Sequence, residues 1–476
     1  MEDGVNSKCG IVVANSLHDV YSFIRDLQHR GREAFGIAAI GSGRIDVLKL
    51  RGTVGDAKLQ NLLKIFPASS YHTYMAHVRY ATKGREDRIV LDAHPHTLGG
   101  RIFDYGSHIH IRDVDAAIVH NGQACLEKIS TTPEKFENCD TPATLDYYWK
   151  TNEFDVMKNI PGSYTLAIAD KRRPEVVIMR DRFGIKPGYI GEKDGKVCFA
   201  SENIAIKLNG GEKTGRDMKP GTIYYLYPNG SMRQVKVFDS IPRHCFFEWN
   251  YIGDIASTLD EVSTFKVRTE LGRELAREFN PADIDILSYI PECPKTSAES
   301  YAEETGRTAL DIFYKLRGER SFLGTNKQDR RDSIKNNLFI NPSLIHLWKG
   351  KVVGLVDDST IRGNNSLRAR ELLLENGVKK IYVLNYTPKI GVIGEEGIAR
   401  GCMFGVDMPP EDDFIVRTKD GKRNRTDQEI NQELGMNVHF LSTEGMFRAF
   451  GRAGIEKNNL CSFCIGGKHP FINYRR

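Results

Sequence analysis

Residues 351–366 read KVVGLVDDSTIRGNNS, and this stretch decides the fold of the second half of the chain. It predicts a buried strand that ends at Asp357 and Asp358, a loop that contains Gly363, and a helix. Ligands of α/β sheets bind beyond the carboxyl ends of the strands. Backbone N–H groups favour a phosphate where a loop opens into a helix, and adjacent carboxylates suit ribose hydroxyls and Mg²⁺. The alternative is a plain strand-to-helix connection with solvated acids.

The surrounding segments predict a parallel sheet, because helix-like and apolar strand-like segments alternate from about residue 257 onward. The helix-like segments are 266–279, 297–305 and 366–376, and the strand-like segments are 284–290, 351–356 and 380–384. Residues 9–226 differ, since short β-rich runs are separated there by glycine-containing turns and a few helical stretches. That half predicts stacked sheets flanked by helices.

The composition is that of a folded chain with more than one domain. Of its 476 residues, 40% are hydrophobic and 27% charged, which excludes a fibrous repeat or a long disordered tract. Lys and Arg number 67 against 62 Asp and Glu, a net charge of +5 that is too small to indicate a nucleic-acid or membrane partner. The sequence shows neither a window near the ~20 apolar residues of a membrane span nor a signal peptide. We expect a cytoplasmic protein.

Cys9 follows eight polar residues, MEDGVNSK, that offer no apolar pattern to hold them on a core. If this segment were removed, Cys9 would carry an α-amine with a pKa of ~7.7–8.0, which could accept the proton of its own thiol near neutral pH. One residue would then be both nucleophile and base. The alternative is a buried structural cysteine.

Six further blocks occur in a fixed order along the first half. They are HRGREAFGI (29–37), AHVRYATKG (76–84), HNG (120–122), GSYT (162–165), RDRFGIKP (180–187) and ASE (200–202). Together with Cys9 they resemble the class II glutamine amidotransferase domain, which implies an N-terminal-nucleophile sandwich of stacked antiparallel sheets flanked by helices. Departures from the family pattern are Arg32, Val78 and Lys186, where Gln, Ser or Thr, and Arg are usual.

The resemblance implies a role for each residue of a glutamine site. Cys9 would attack the side-chain amide of glutamine, and Asn121 with the backbone N–H of Gly122 would donate to the oxyanion. Arg79 would hold the α-carboxylate, and Asp140 would receive the α-ammonium. Taken singly, Asn121-Gly122 is better explained as a turn, and Arg79 and Asp140 as members of surface ion pairs.

The 351–366 stretch resembles the phosphoribosyl-pyrophosphate (PRPP) motif of type I phosphoribosyltransferases, which have a parallel α/β sheet. An amidotransferase half followed by this motif resembles the amidophosphoribosyltransferase family, which makes 5-phosphoribosylamine, glutamate and pyrophosphate from PRPP, glutamine and water at the first committed step of purine synthesis. The resemblance implies that Thr296, Asp357 and Asp358 surround Mg²⁺. The implied PRPP contacts are Asp357, Asp358, Ser359, Thr360, Arg362, Gly363, Asn364, Asn365, Ser366, Lys315, Arg317 and Arg331.

The second half also departs from its family. Asn364 and Asn365 replace two hydroxyl residues of the phosphate loop, Lys295 replaces an acidic residue, and residues 315–320 match loosely. These departures leave two alternatives open. One is a binding protein that senses PRPP or a nucleotide, and the other is a glutaminase that delivers ammonia to another acceptor.

Nine cysteines are better explained as thiols or metal ligands than as disulfides in a cytoplasmic chain. Cys461 and Cys464 form a Cys-x-x-Cys pair, which alone fits zinc, a redox pair or coincidence. Cys245 and Cys402 stand where one branch of the family, which also carries an N-terminal propeptide, completes a [4Fe–4S] cluster. The resemblance therefore implies a cluster held by these four thiolates.

The predicted organisation is a propeptide (1–8), an amidotransferase domain (9–245) and a phosphoribosyltransferase domain (246–476). We expect small-molecule substrates, purine nucleotides as candidate inhibitors, and a homo-oligomer, with neither nucleic acid nor membrane as partner.

Overall fold

The computed structural model describes residues 8–79, 88–125, 139–211, 214–315, 338–406 and 408–471. Arg317 and Arg331, which the sequence assigns to PRPP, lie outside these ranges, as do residues 1–7 and the side chain of Lys315. None of the helices in the described ranges is long and apolar enough to cross a membrane.

Two antiparallel sheets build the first half of the described chain. The first sheet has the spatial order β13 (Arg216–Asp217), β11 (Tyr189–Lys193), β12 (Lys196–Ala200), β1 (Gly10–Ala14), β4 (Thr73–Arg79), β2 (Ala34–Gly41), β3 (Arg44–Arg51), β7 (His108–Arg112) and β6 (Arg101–Asp104). The second has the order β15 (Met232–Lys236), β14 (Thr222–Leu226), β10 (Val176–Arg180), β9 (Gly162–Asp170), β8 (Ala116–Ala124) and β5 (His96–Leu98). The helices of this half are α1 (Leu17–Asp26), α2 (Leu59–Ile65), α3 (Asp140–Lys150), α4 (Glu153–Asn159) and α5 (Asn203–Lys207).

The alternation of side chains along β1 explains how these elements stack. Ile11 and Val13 pack with the second sheet, whereas Val12 and Ala14 point to the opposite face and pack with α1, as the two-residue period of a strand requires. The outer face of the second sheet is covered by α3 and α4. The order of layers is therefore helix, sheet, sheet, helix, and β1 lies where three layers meet.

A parallel sheet organises the second half, with the order β19 (Ile286–Tyr289), β22 (Val352–Asp357), β23 (Lys380–Asn385) and β24 (Asn437–Phe440). Its helices are α6 (Thr264–Glu278), α7 (Lys295–Thr305), α8 (Ile345–Trp348), α9 (Asn364–Glu375), α10 (Asp427–Leu434) and α11 (Thr443–Ala453). Three two-stranded pairs complete it, namely β16 (His244–Cys245) with β25 (Leu460–Cys461), β17 (Thr258–Leu259) with β18 (Val262–Ser263), and β20 (Phe313–Lys315) with β21 (Leu338–Ile340).

The predicted fold class is confirmed in both halves. The helix predicted for 366–376 begins two residues earlier, at Asn364, because Gly363 adopts a φ of +81° and turns the chain directly into the helix. The strand predicted for 284–290 is shorter at both ends, since its described span is Ile286–Tyr289.

Candidate active sites

Cys9 immediately precedes β1. Ile11, two residues on, packs against the second sheet. In the register of β1 with β4, Gly10 pairs with Val78, so Cys9 stands opposite Arg79. The residue is fully buried, and its carbonyl oxygen accepts a hydrogen bond of 3.0 Å from Nε of Arg30.

Asn121 and Gly122 lie on β8 of the second sheet. Val119 of β8 packs between the sheets, so Asn121, two residues later, points toward β1 and β4 as well. Both amide atoms of Asn121 are buried and have no hydrogen-bond partner among the described residues. Such groups are rare in folded proteins because desolvation penalises them. An amide held in this way is ready to donate to a ligand, as the predicted oxyanion site requires.

The backbone conformation at position 122 requires glycine. The φ of Gly122 is +136°, and a Cβ at this position would lie 1.8 Å from the carbonyl oxygen of Ser163 on β9. The close pairing of β8 with β9 therefore excludes any side chain here.

Arg79 and Asp140 provide opposite charges on elements that adjoin Cys9 and Asn121. The guanidinium of Arg79 donates from Nη1 to the carbonyl of Ile89 at 2.8 Å, and its buried Nε has no partner in the described chain. The carboxylate of Asp140, the first residue of α3, accepts the backbone N–H of Ala124 at the end of β8. A free α-carboxylate and α-ammonium are the groups that such a pair recognises.

A buried ionic network contacts the backbone of Cys9 through Arg30. The guanidinium of Arg30 donates to Glu202 at 2.5 Å and to Glu248 at 2.9 Å, and Nζ of Lys186 lies 3.4 Å from Glu248. His29 also contacts Glu202, at 2.8 Å. Burial alone would raise the pKa of Glu202, but His29 and Arg30 outweigh it and hold that pKa well below its usual range.

The 351–366 stretch forms the predicted second site. Asp357 ends β22 and is buried. Oδ1 of Asp357 accepts the backbone N–H of Asp358 at 2.9 Å, while Oδ2 of Asp358 accepts the hydroxyl of Ser359 at 2.6 Å. Burial raises the pKa of Asp358.

The loop after these acids is held by contacts to the sheet. Oγ1 of Thr360 donates to Oδ1 of Asn385 at 2.8 Å and lies 3.5 Å from Oγ of Ser366. Arg362 forms an ion pair with Asp412. Asn364, Asn365 and Ser366 open α9, so that the backbone N–H groups of its first turn face the loop.

Thr296 lies at the same edge of the sheet. β19 is the parallel neighbour of β22, and the N–H of Ile290 donates to the carbonyl of Val356 at 3.0 Å. The chain then passes into α7, whose first turn contains Thr296. Lys295, one of the departures from the family pattern, has its ammonium 3.5 Å from Asp311.

The four predicted cysteine ligands line one cavity. Its lining consists of Ile185, Cys245, Phe246, Phe247, Gly401, Cys402, Phe404, Val406, Met408, Cys461 and Cys464. Cys245 and Cys461 are paired across β16 and β25, and Sγ of Cys402 accepts backbone N–H groups from Phe404 at 3.4 Å and Val406 at 3.2 Å. Burial raises the pKa of the Cys461 thiol to about 12. A metal centre would be needed to make these thiols anionic.

Four thiols around one cavity are a ligand set that suits either a single zinc ion or a [4Fe–4S] cluster.

Comparisons with known proteins agree with both halves. A family profile described as a glutamine amidotransferase domain matches residues 113–207. Amidophosphoribosyltransferases from Methanocaldococcus jannaschii and Archaeoglobus fulgidus are 26% and 28% identical, over 97% and 94% of this chain and 96% and 94% of theirs. A solved glutamine PRPP amidotransferase from B. subtilis, complexed with ADP and GMP, superimposes with a TM-score of 0.76 at 23% identity, and each chain covers 97% of the other.

The fold and the two sites define a glutamine amidotransferase joined to a phosphoribosyltransferase. The similarity extends over nearly the whole chain, and both predicted halves are present in the predicted order. Over nearly its whole length, the chain is similar to amidophosphoribosyltransferases.

Sequence reasoning missed the network around Arg30. The HRGREAFGI block includes Arg30, but nothing in the sequence links it to Glu248, which lies 218 positions away. Arginine is usually a surface residue. Arg30 also lies after the end of α1, so the helical period of hydrophobic residues does not predict its burial. Only a comparison of many related sequences could have paired these positions.

We expect Arg30→Met to destabilise the protein by about 3–5 kcal/mol, because Glu202 and Glu248 would remain as buried carboxylates without their shared cation. Denaturant unfolding measures this change. The matched control is Arg101→Met, which removes an exposed guanidinium paired with Asp113 and should change the free energy of unfolding by about 0–1 kcal/mol. Equal small effects of the two substitutions would contradict the structural role of Arg30.

Proposed function

We propose that this chain converts PRPP, glutamine and water into 5-phosphoribosylamine, glutamate and pyrophosphate, the first committed step of purine synthesis. The observation that supports the proposal is the buried, unpartnered amide of Asn121 on β8, in the same half as the fully buried Cys9, on a chain whose second half presents paired acids at a strand end. The predicted activity is confirmed at the level of the family. Neither the nucleotide-sensing protein nor the glutaminase with another acceptor is favoured by any observation.

The first half-reaction releases ammonia from glutamine. The sulfur of Cys9 forms a bond to the amide carbon, and the developing oxyanion is stabilised by Asn121 and the N–H of Gly122. Collapse breaks the carbon–nitrogen bond, and the nitrogen leaves as ammonia with a proton from the base that activated the thiol. Water then hydrolyses the thioester to glutamate. Removal of residues 1–8 would supply that base as the α-amine of Cys9.

The second half-reaction transfers the ribose phosphate to ammonia. Asp357, Asp358 and Thr296 would hold Mg²⁺, which supplies charge neutralisation for the departing pyrophosphate. The backbone N–H groups at the start of α9 and the hydroxyls of Thr360 and Ser366 would bind the 5-phosphate. Ammonia adds to C1 of the ribose as the bond to pyrophosphate breaks.

Two further assignments rest on family resemblance. Lys315, Arg317 and Arg331 would offset the charge of the polyphosphate. A [4Fe–4S] cluster on Cys245, Cys402, Cys461 and Cys464 would join the C-terminal pair to the segment between the halves, since β16 and β25 bring Cys245 beside Cys461.

The remaining assignments concern regulation and cellular context. Purine nucleotides would inhibit the enzyme, as the ADP and GMP in the B. subtilis complex suggest by analogy. The domain limits 9–245 and 246–476, a homo-oligomeric state and a cytoplasmic location complete the proposal. All nine cysteines are described, and none of them forms a disulfide.

We expect the active enzyme to begin at Cys9, which intact-mass measurement will show. Cys9→Ala should abolish the use of glutamine but retain synthesis from free ammonia, because the acceptor site belongs to the other half. The control, Cys198→Ala, removes another buried thiol and should leave both activities within about twofold. A glutamine-dependent enzyme that retains residues 1–8 would refute the self-contained nucleophile and base.

Asp358→Asn should lower PRPP-dependent synthesis on the order of 10²-fold, because a carboxylate ligand of Mg²⁺ is lost. Basal hydrolysis of glutamine should change little. Parallel assays of glutamate and phosphoribosylamine separate the two activities, with Asp420→Asn as a control in an exposed turn. Equal losses of both activities would contradict the proposed division between the halves.

Anaerobically purified protein should be brown, with about four irons and four acid-labile sulfides per chain. Cys461→Ser and Cys464→Ser should remove the colour and increase proteolysis, because the cluster ties the C-terminal segment to β16. Cys198→Ala serves again as control and should stay brown. A colourless, fully active wild-type protein with zinc in this site would refute the cluster assignment.

A further inference from the structure

A second group of metal-ligating side chains lies behind the glutamine site. His96 begins β5, His94 stands two residues before it, and Cys139 immediately precedes α3. Within the described ranges these three form the only set of His, Cys, Asp or Glu residues whose ligand atoms all lie within 4.8 Å of one another. Neither the glutaminase chemistry nor the cysteine tetrad uses them.

The spacing of the group matches one tetrahedral ion. Nε2 of His96 lies 3.6 Å from Sγ of Cys139. Two ligands of a single zinc, with Zn–N of ~2.0 Å and Zn–S of ~2.3 Å at a tetrahedral angle, would be separated by ~3.5 Å. The two atoms therefore already have the separation that a shared ion would impose. The His94 and His96 rings, with centroids 4.6 Å apart, bring the third ligand to the same place.

We propose that His94, His96 and Cys139 bind one divalent transition-metal ion of the zinc class. Two imidazoles and a thiolate are ligands that zinc prefers, and a water molecule would complete the fourth position. The ion would be a structural component of the amidotransferase half, separate from the Mg²⁺ and the cluster already proposed.

Metal binding through His94 has to compete with one existing contact. Nδ1 of His94 accepts the backbone N–H of His120 at 3.2 Å, at the long end of the range for such a bond. Binding through Nδ1 would replace this hydrogen bond with a metal–nitrogen bond, whereas binding through Nε2 would leave it in place.

The position of the ion suggests what it does. Cys139 is adjacent to Asp140, the predicted partner of the α-ammonium. The His94 ring is 4.1 Å from the ring of His77, two residues before Arg79 on β4. An ion here would fix the positions of Asp140 and Arg79, the predicted partners of the α-ammonium and the α-carboxylate of glutamine, relative to each other. This functional part of the inference rests on the proposed glutamine site, whereas the binding of metal does not.

The test counts metals in the full-length protein with its cluster intact. The protein is equilibrated with zinc chloride and desalted, and zinc and iron are then measured in the same sample by elemental analysis. We expect one zinc per chain in the wild type and in the control Cys198→Ala, and a loss of at least tenfold in zinc occupancy in Cys139→Ala and His96→Ala with iron unchanged. Substitution by Co²⁺ should give a thiolate-to-cobalt absorption band that Cys139→Ala removes.

Activity supplies a second, independent measurement. The KM for glutamine should rise in Cys139→Ala while ammonia-dependent synthesis is unchanged. Wild-type protein without zinc above background, or variants that keep their zinc, would overturn the proposal. Should a variant fail to fold, as shown by loss of iron and of circular dichroism, the cobalt titration of the wild type decides, since absence of a thiolate band there also refutes the site.

Discussion

The hydrogen bonds and ion pairs of the Arg30 guanidinium hold together the segments around Cys9 and the junction between the two halves. This guanidinium is fully buried and binds three partners from distant parts of the chain: the carbonyl of Cys9, the carboxylate of Glu202 and the carboxylate of Glu248. A buried ion is stable only when its partners satisfy it completely. The network therefore requires β1, the segment after β12 and the segment that leads into the second half to come together at one point.

That requirement connects the nucleophile to the junction between the halves. Residues Glu248–Ile252 form a short π-helix, an element often found at functional positions. The carbonyl oxygen of Asn250 accepts the hydroxyl of Tyr386 at 2.9 Å, and its side-chain nitrogen donates to Thr387 at 3.2 Å. Both residues follow β23, whose last residue, Asn385, pairs with Asp357. A continuous chain of contacts thus runs from Cys9 through Arg30 and this π-helix to the acids of the second site.

Much of the fold could be predicted, because its signals are local. The apolar run that ends at Asp357 predicts a parallel strand. The two-residue period along β1 indicates a strand that is covered on both faces. The roles predicted for Cys9, Asn121 and the cysteine tetrad followed from resemblance to a known family, and the structure places the four tetrad cysteines around one cavity. What the sequence could not reveal are the pairings between distant residues, such as Arg30 with Glu248 and His96 with Cys139, because neither helix nor strand periodicity encodes them.

The same contacts explain why residue 8 matters to both sites. The ammonium of Lys8, next to Cys9 along the chain, lies 3.9 Å from the centroid of the Tyr251 ring and contributes to the field at Asp358. Tyr251 belongs to the π-helix that carries Glu248. The Lys8 ammonium thus lies beside the π-helix and favours the ionised form of Asp358, an acid assigned to Mg²⁺. Removing residues 1–8 would therefore do more than expose an amine, because it would also withdraw this positive charge from the neighbourhood of the second site.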